Sequence, residues 1–255
     1  MNNFKNLFEE YAAIVFFDTE TTGLDADTDR IIELAAVRIE QTELGELRIV
    51  SSADLFIKLP DGQKIPEKVS KLTGITDETL EAEGVTEARA AAIFGEMIGK
   101  TYKGRSLLVA HNAQFDLLFI QAMAERLSPV LKVELKRADY LDTLTVYKDR
   151  RAYPHKLANA IVAYKLEDKV KNSHRAIDDV LALFEVCRAM ENERDNLLAY
   201  VNLFGYNPKY GVSGRRLPGV TYWPQHFNNY MQAPSDTLPA RCKRKTNTEG
   251  GTTTC

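Results

Sequence analysis

The feature that most constrains the fold is an apolar run, residues 14–17, that leads directly into two acidic residues, Asp18 and Glu20. Consecutive large apolar side chains of this kind are typical of a strand buried on both faces. Because alternate residues of a strand point to the same face, Asp18 and Glu20 are neighbours at its end. Two adjacent carboxylates repel each other and lose hydration unless a cation neutralises them or one is protonated. The segment therefore predicts a central strand that ends in a metal site.

The pattern after this strand predicts the rest of the fold. Two runs rich in β-branched residues, 30–40 and 47–59, are separated by a polar turn, which indicates an antiparallel meander. Pro66 is placed to begin a short helix and Gly74 to end it. Helical and strand patterns then alternate, and the last helix is predicted to span residues 175–201. This order predicts a mixed α/β sheet with helices on both faces.

The composition is typical of a soluble globular protein with one sizeable core. The chain has 255 residues, of which 44% are hydrophobic and 27% charged. Its first residues lack the basic-then-apolar order of a signal peptide, and no apolar run approaches the roughly 20 residues that span a bilayer, so we expect a cytoplasmic protein. The three cysteines are widely spaced and form neither a disulfide framework nor a metal-ligand pair.

The charge distribution divides the chain near residue 204. Residues 205–255 hold seven Lys or Arg and two acids, a net charge of +5, whereas residues 1–204 carry −8. An acidic body does not bind nucleic acid through bulk charge, so any such contact must be local, through metal ions and a cleft. We interpret residues 205–255 as a basic, aromatic-bearing extension with no strand or helix period, packed on the domain at first and disordered after about residue 233.

Two further acidic segments follow a strand or precede a helix. A buried strand ends at His111 and Asn112, and a helix begins near Phe115, so Asp116 lies in its first turn, where the helix dipole alone already favours a carboxylate. His111 has two interpretations, a structural hydrogen bond or a substrate contact. We expect the two other histidines of the chain's C-terminal half outside the acidic segments, His155 and His226, to be surface residues.

The third acidic segment offers a choice between Asp178 and Asp179. Helical periodicity places Asp179 beside the apolar stripe of its helix and Asp178 toward solvent. His174 precedes them, and at roughly 100° per residue it cannot share the face of Asp179 in a regular helix. We therefore expect His174 on the preceding loop, where an imidazole that titrates near neutral pH is free to accept a proton.

Together these segments resemble the three motifs of the DEDDh family of 3′–5′ exonucleases. They occur in the family's order along the chain: Asp18-x-Glu20, Asn112-x-x-Phe115-Asp116 and His174-x-x-x-x-Asp179. Residues 65–80 are also similar to the segment after the third strand in the proofreading epsilon subunit of bacterial DNA polymerase III and in related polymerase exonuclease domains. The resemblance implies a ribonuclease H-like fold, with a mixed five-stranded sheet whose first three strands are antiparallel, and it assigns residues 1–204 to an exonuclease domain.

The resemblance also implies a two-metal site. Two Mg²⁺ ions, for which Mn²⁺ substitutes, would be held by four carboxylates, with Asp18 bridging both ions and His174 acting as the general base. The four metal-ligand residues would be Asp18, Glu20, Asp116 and Asp179. The segment after the first two acids resembles the loop that seats the terminal nucleotide, and the substrate-binding residues would be Thr21, Thr22, Gly23, Leu24, Thr73, Asn112 and Phe115.

The function implied is removal of nucleoside 5′-monophosphates from DNA 3′ ends in proofreading or repair. A member of the same family that trims RNA 3′ ends is the alternative enzyme, because nothing identified in the sequence reads a 2′-hydroxyl. A non-catalytic adaptor that binds nucleic acid or a polymerase is the alternative outside enzymes. The expected partners are nucleic acid with a free 3′ end, DNA favoured, and a DNA polymerase, with no membrane association.

Overall fold

A mixed five-stranded sheet in the order β3-β2-β1-β4-β5 forms the centre of the molecule. The computed structural model describes residues 3–99, 104–170 and 175–225. The strands of the sheet are β1 (Tyr11–Thr21), β2 (Ile31–Gln41), β3 (Leu47–Phe56), β4 (Arg105–Ala110) and β5 (Asp139–Asp142). β1, β2 and β3 pair antiparallel, and β4 and β5 run parallel to β1. The predicted sheet, with its antiparallel meander, is confirmed.

Helices cover both faces of the sheet, as predicted. They are α1 (Lys5–Glu10), α2 (Glu67–Thr73), α3 (Asp77–Glu83), α4 (Glu87–Gly99), α5 (Ala113–Leu127), α6 (Pro129–Arg137), α7 (Thr143–Arg150), α8 (Leu157–Ala163) and α9 (Ala176–Glu193). α2 begins after Pro66 and ends at Gly74, whose φ of 74° is the left-handed conformation expected of a terminating glycine. The sequence analysis missed α6, although Ser128 caps it and Pro129 begins it, which is a standard helix-start signal.

β1 lies between two hydrophobic cores and contributes to both. Ile14 and Phe16 pack into the core beneath α9, while Val15 and Phe17 pack into the core beneath α4 and α5. All four side chains are fully buried. Burial of apolar area at about 25 cal/mol per Å² on both faces makes this strand the main fixed element of the domain. The acids at its end therefore project from a rigid support.

The carboxyl ends of the three parallel strands meet at one edge of the sheet, and Asp142 organises that edge. Its carboxylate accepts hydrogen bonds from the backbone N–H groups of Asn112 (2.9 Å) and Ala113 (3.1 Å) at the start of α5. It also caps α7, accepting from the N–H groups of Leu144 and Thr145. One side chain thus fixes two helix starts against the end of β5.

The long C-terminal helix predicted for residues 175–201 is shorter in the structure. α9 ends at Glu193, and a separate 3-10 helix covers Leu197–Tyr200. The guanidinium of Arg150 explains the break, because it donates to the carbonyls of Met190 (2.6 Å) and Arg194 (3.4 Å) and to the side chain of Asn196 (2.5 Å). Carbonyls that accept from this buried side chain end the helix there.

The segment after residue 204 contains regular structure that the sequence analysis did not predict. β6 (Leu203–Tyr206) and β7 (Thr221–Pro224) form a parallel two-stranded sheet. Thr145 of α7 anchors both strands: its hydroxyl accepts from Gly205 N–H (2.8 Å) and its carbonyl from Gln225 Nε2 (2.9 Å). Strands of four residues are too short to show a period of two. Residues 226–255, which include His226 and the segment predicted to be disordered, lie outside the described residues.

None of the helices in residues 3–99, 104–170 and 175–225 has the length and apolar character needed to cross a bilayer.

The attachment of the C-terminal strands to β5 can be tested at Asn202, which precedes β6. Asn202 is 2% exposed with φ of 58°; its Nδ2 donates to Asp139 Oδ1 (2.7 Å) and its Oδ1 accepts from Tyr140 N–H (2.9 Å). Asn202→Gly keeps the positive φ without strain but removes both hydrogen bonds, so urea unfolding should show a loss of about 2–4 kcal/mol. Asn202→Ala should lose about 1 kcal/mol more because alanine disfavours this conformation. Wild-type stability in Asn202→Gly would contradict the assignment.

Candidate metal centre

Three carboxylates converge at the edge of the sheet where β1 ends. Asp18 and Glu20 of β1 and Asp179 of α9 each place one carboxylate oxygen so that all three lie within 4.8 Å of one another. Asp179 is 7% exposed, whereas Asp178 is half-buried and lies outside this group, which agrees with the helix phase deduced from the sequence. Two alternate strand positions on one face and the first turn of a facing helix thus form what we term the acidic cluster: Asp18, Glu20 and Asp179.

Asp116 lies beside the acidic cluster and is held by Thr19, the residue between Asp18 and Glu20. It is 3% exposed, in the first turn of α5, and its Oδ1 accepts from the backbone N–H (3.1 Å) and the hydroxyl (2.7 Å) of Thr19. Burial is the main cause of the raised pKa of Asp18, and the negative charge of Asp116 is the next largest cause. The structure therefore brings all four acids predicted from the sequence into one region. The acids of the acidic cluster are close enough to bind one metal ion, and Asp116 is hydrogen-bonded to β1.

Burial and mutual repulsion raise the pKa values of these acids. Burial, followed by the charges of Asp179 and other nearby acids, raises the pKa of Glu20 to about 8, and burial raises the pKa of Asp116 to about 7. The pKa of Asp18 is also raised well above its ordinary value, first by burial and then by neighbouring acids. An all-oxygen donor set with excess negative charge suits hard divalent cations such as Mg²⁺ or Mn²⁺, which would return these groups to the ionised form.

Glu33 is a fifth acid at this edge, and the sequence analysis missed it. It is the cross-strand partner of Glu20 in β2 and is fully buried. Its Oε2 accepts from the backbone N–H of Ala176 (3.1 Å) and its Oε1 from Nε of Arg175 (2.9 Å), so it fixes the start of α9. Burial raises its pKa, and the hydrogen bonds from Ala176 and Arg175 oppose that rise. The available signal was a single acid within the apolar run of β2.

His174 lies in residues 171–174, outside the part of the chain that the structure describes. The adjacent Arg175 is well anchored. Besides its ion pair with Glu33, its guanidinium carbon lies 4.8 Å from the ring centroid of Phe56, and its Nη2 lies 4.0 Å from Asp54 Oδ2. Arg175, the first described residue after His174, is therefore held in place by Glu33, Phe56 and Asp54.

One hydrogen bond links the two described histidines. His111 Nδ1 lies 3.0 Å from the hydroxyl of Thr143, and its Nε2 lies 2.9 Å from the carbonyl of His155. The prediction of a surface position for His155 is wrong: it is 9% exposed, bonds the carbonyl of Arg151 and packs edge-on against Tyr147 at 5.6 Å. Burial lowers the pKa of both imidazoles. Both ring nitrogens of His111 are thus engaged within the protein.

The loop after the two strand acids is closed by internal hydrogen bonds. Thr21 donates its hydroxyl proton to the carbonyl of Gly23 (2.6 Å), and the hydroxyl of Thr22 donates to Asp29 Oδ1 (3.2 Å). A Cβ at Gly23 would lie 2.3 Å from the Asp29 carboxylate, so a larger residue would displace the group that accepts from Thr22 and from Asp25 N–H. Leu24, 87% exposed, projects from the tip. The loop is thus a preformed support for an exposed apolar side chain.

The remaining predicted substrate residues are not all alike. Asn112 is exposed, with φ of 73°, and Phe115 is half-buried and packs 4.9 Å from Phe119, so both lie on the first turn of α5 with Asp116. Thr73 is 4% exposed, and its hydroxyl is bonded to Val69 O and Ile75 N–H, which commits it to the end of α2.

A cavity of about 380 Å³ opens directly after Thr73. Its lining residues come from β3, the end of α2, α3 and the start of α9: Asp54, Leu55, Phe56, Gly74, Ile75, Thr79, Glu83, Val85 and Arg175. Arg175 is common to this cavity and to the anchor of α9 on Glu33. Arg175 therefore joins this cavity to Glu33, the cross-strand partner of Glu20.

Comparison with known proteins identifies the class. A family model described as Exonuclease, RNase_T, matches residues 15–187. The chain is 32% identical to the PolC-type DNA polymerase III of Latilactobacillus sakei over 214 residues, which is 82% of this chain but 13% of that polymerase. It is 34% identical to the DNA polymerase III subunit epsilon of Treponema pallidum over 71% of this chain and 77% of that subunit.

Other matches include a ribonuclease and solved structures of an exonuclease. The chain is 30% identical to the Ribonuclease T of Vibrio campbellii over 74% of this chain and 89% of that protein. The fold is similar to that of E. coli exonuclease I in complex with a dT13 oligonucleotide, with a TM-score of 0.61 and 20% identity, over 74% of this chain and 43% of that one. The chain therefore belongs to the RNase T family of DEDD 3′–5′ exonucleases, a family of metal-dependent phosphodiester hydrolases.

The acidic cluster predicts that the metal-free protein loses stability as pH rises. The folded pKa values of Glu20 (about 8) and Asp116 (about 7) exceed their ordinary values of 4.5 and 3.8. The folded state therefore binds more protons than the unfolded state between about pH 4 and 8, and stability falls as those protons leave. In chelator, the midpoint of thermal unfolding should fall from pH 5 to pH 8, and added Mg²⁺ or Mn²⁺ should raise it most at pH 8.

Glu20→Gln should flatten this pH dependence, because it removes one of the carboxyl groups whose pKa is raised. Glu9→Gln, at an exposed position outside the acidic cluster, is the control and should unfold like the wild type at every pH. A wild-type midpoint in chelator that stays constant or rises toward pH 8 would contradict the electrostatic account.

Proposed function

We propose that this protein is a metal-dependent 3′–5′ exonuclease that releases nucleoside 5′-monophosphates from DNA 3′ ends in proofreading or repair. The observation that carries the proposal is the acidic cluster, with Asp116 beside it, at the carboxyl edge of the sheet in a chain of this family. The chain spans 12–13% of the length of the PolC-type polymerases that it matches.

Asp18, Glu20, Asp116 and Asp179 would hold two Mg²⁺ ions. Bound divalent ions supply a nucleophile at neutral pH and neutralise charge on the attacking and leaving oxygens of the phosphodiester. The protein's task is to hold these acids at fixed positions despite their repulsion. β1 fixes two of them, Thr19 holds Asp116, and Glu33 fixes the helix that carries Asp179.

His174 is proposed as the general base that takes a proton from the attacking water. It directly precedes Arg175, which the buried Glu33 fixes beside the acidic cluster. Thr21, Thr22, Gly23 and Leu24 would seat the terminal nucleotide with Asn112 and Phe115. The internal hydrogen bonds of that loop and the exposure of Leu24 support an apolar contact to the terminal base. Thr73 would act indirectly, by shaping the end of α2 beside the cavity.

DNA is the favoured substrate because the polymerase relatives, PolC-type and epsilon, outnumber Ribonuclease T among the first matches by sequence. In addition, one solved structural neighbour, E. coli exonuclease I, carries a deoxyoligonucleotide. RNA 3′-end trimming is the second candidate, favoured by the 30% identity to Ribonuclease T over 89% of that protein. A non-catalytic adaptor would be expected to lack one of the acids, and all four are present. A DNA polymerase is proposed as a partner on the strength of the epsilon likeness.

A panel of labelled 3′ ends tests the proposed function. Single-stranded DNA, matched duplex, 3′-mismatched duplex and RNA of one sequence, each labelled at the 5′ end, should be shortened stepwise in Mg²⁺, with DNA degraded faster than RNA. The products should be nucleoside 5′-monophosphates. Immediate release of the labelled end nucleotide would refute the polarity, faster degradation of RNA would favour the trimming function, and binding without cleavage would favour the adaptor.

The acids should be essential individually. Asp18→Ala, Glu20→Ala, Asp116→Ala and Asp179→Ala should each lower turnover by at least about 10²–10³-fold, the loss typical of removing one transition-state stabiliser. Asp178→Ala is the matched control, because Asp178 lies outside the acidic cluster, and it should retain most activity. Circular dichroism should show that every variant folds. An inactive Asp178→Ala with an active Asp179→Ala would show that the wrong acid was assigned.

His174→Ala should lower turnover by roughly 10²–10⁴-fold, the range for a lost general base, and should leave metal binding intact because the carboxylates remain. The wild-type rate should also fall on acidification as the imidazole is protonated. In Mg²⁺ concentrated enough to keep the carboxylates ionised across the pH range, this acid limb should be absent from the residual activity of His174→Ala. His226→Ala is the control. Near-normal turnover of His174→Ala in saturating Mg²⁺ would remove the histidine from the chemistry.

A further inference from the structure

The segment between β6 and β7, residues 207–220, begins at the same edge of the sheet as the acidic cluster and returns to the opposite edge, because β7 runs parallel to β6. β6 follows the direction of β5, because Asn202 N–H donates to Tyr140 O (2.7 Å) within β5 and Gly205 N–H donates to the hydroxyl of Thr145 (2.8 Å) beyond the end of β5. β6 therefore ends at the carboxyl edge of the sheet. We term residues 207–220 the basic loop.

The middle of the basic loop is hydrogen-bonded to α5, the helix that carries Asp116. Gln114, two residues before Asp116, donates through Nε2 to the carbonyls of Ser213 (3.0 Å) and Arg215 (2.7 Å). The hydroxyl of Tyr222 donates to Gln114 Oε1 (2.7 Å), so the loop and β7 close on the same side chain. Gln114 is 9% exposed. At about 100° per residue, Gln114 lies on the face of α5 turned away from Asp116. The basic loop thus runs from the carboxyl end of β6 to the opposite face of the helix that carries Asp116.

The charge of the basic loop is opposite to that of the acidic cluster. Residues 205–225 contain three basic residues and no acid, and all three, Lys209, Arg215 and Arg216, are exposed. Lys209 and Arg216 are each held against an aromatic ring, Lys209 Nζ at 5.2 Å from the ring of Tyr210 and Arg216 Cζ at 4.8 Å from that of Tyr222. Arg215 instead pairs with Glu125 at 3.4 Å.

Tyr210, 76% exposed, completes a surface with the composition of a single-strand binding site. Such sites combine cations that follow the phosphate backbone with aromatic side chains on which bases stack. The acidic cluster repels an approaching polyanion, so a cationic contact outside it would hold the strand while its 3′ end enters the site. Hydrogen bonds from Gln114 fix the loop in advance, which lowers the entropy cost of binding.

We propose that the basic loop binds the substrate strand on the 5′ side of the bond to be cut. Lys209 and Arg216 contact phosphates, and Tyr210 stacks on a base of single-stranded nucleic acid. The inference rests on the proposed exonuclease function, because it assigns the loop to the strand whose 3′ end occupies the acidic cluster. It places substrate affinity in the loop and bond cleavage in the carboxylates.

The test compares a long and a short substrate in the double variant Lys209→Ala, Arg216→Ala. On an oligothymidylate of about 20 nucleotides, KM should rise roughly tenfold with little change in kcat, since two phosphate contacts are lost. The p-nitrophenyl ester of thymidine 5′-monophosphate reaches the carboxylates but not the loop, so its hydrolysis should be unchanged. The slope of log affinity against log salt for the oligonucleotide should also decrease by about 1.4.

The matched control removes one lysine and one arginine from α6, in the double variant Lys132→Ala, Arg137→Ala. Both positions are exposed, and Arg137 lies just before the amino end of β5, at the opposite edge of the sheet. This control should keep the wild-type KM on both substrates. An equal loss of affinity in the control would mean that bulk charge alone governs binding, and would overturn the proposal.

Wild-type KM for the oligonucleotide in the loop variant would equally overturn it. If the loop variant unfolds at lower temperature, Lys209→Ala and Tyr210→Ala alone, which leave the Arg216–Tyr222 contact intact, give the same comparison with smaller expected rises in KM. If the wild type hydrolyses neither substrate, the proposed function fails. Fluorescence anisotropy of the labelled oligonucleotide then still separates the loop variant from the control and tests the loop by itself.

Discussion

Repulsion among closely spaced, partly buried carboxylates is the constraint on which this structure depends. Asp18 and Glu20 share one strand face, Asp179 lies within 4.8 Å of them, and burial together with their mutual charge raises the pKa of the two strand acids. A fold that keeps such groups together must fix each of them from behind. It does so with an apolar strand buried in two cores and with Glu33, whose hydrogen bond to Ala176 holds α9 in place.

The sequence was sufficient for features that depend on local spacing. The alternation in β1 placed two acids on one face, the apolar stripe of α9 separated Asp179 from Asp178, and Pro66 and Gly74 marked the ends of α2. The order of strand and helix patterns was also enough for the sheet, because an antiparallel meander followed by helix–strand alternation has few compact solutions.

Features that depend on distant partners were not accessible in the same way. Glu33 is one acid in an apolar strand, and its role becomes evident only when Ala176, 143 residues later, donates to it. His155 has the sequence context of a polar loop residue, yet its carbonyl lies 2.9 Å from Nε2 of His111 and its ring packs against Tyr147. β6 and β7 are four residues each, and Thr145 sets their position from another part of the chain.

The hydrogen bonds of Asp142 couple two helices mechanically. Its carboxylate joins the first turn of α5 to the first turn of α7, and the next residues of α7 include Thr145, which holds the C-terminal strands. The C-terminal segment and the helix bearing Asp116 are therefore two ends of one linked assembly rather than independent parts. Movement at one end is opposed at the other, so tension on a strand held by the C-terminal segment would be borne partly by the helix beside the acids.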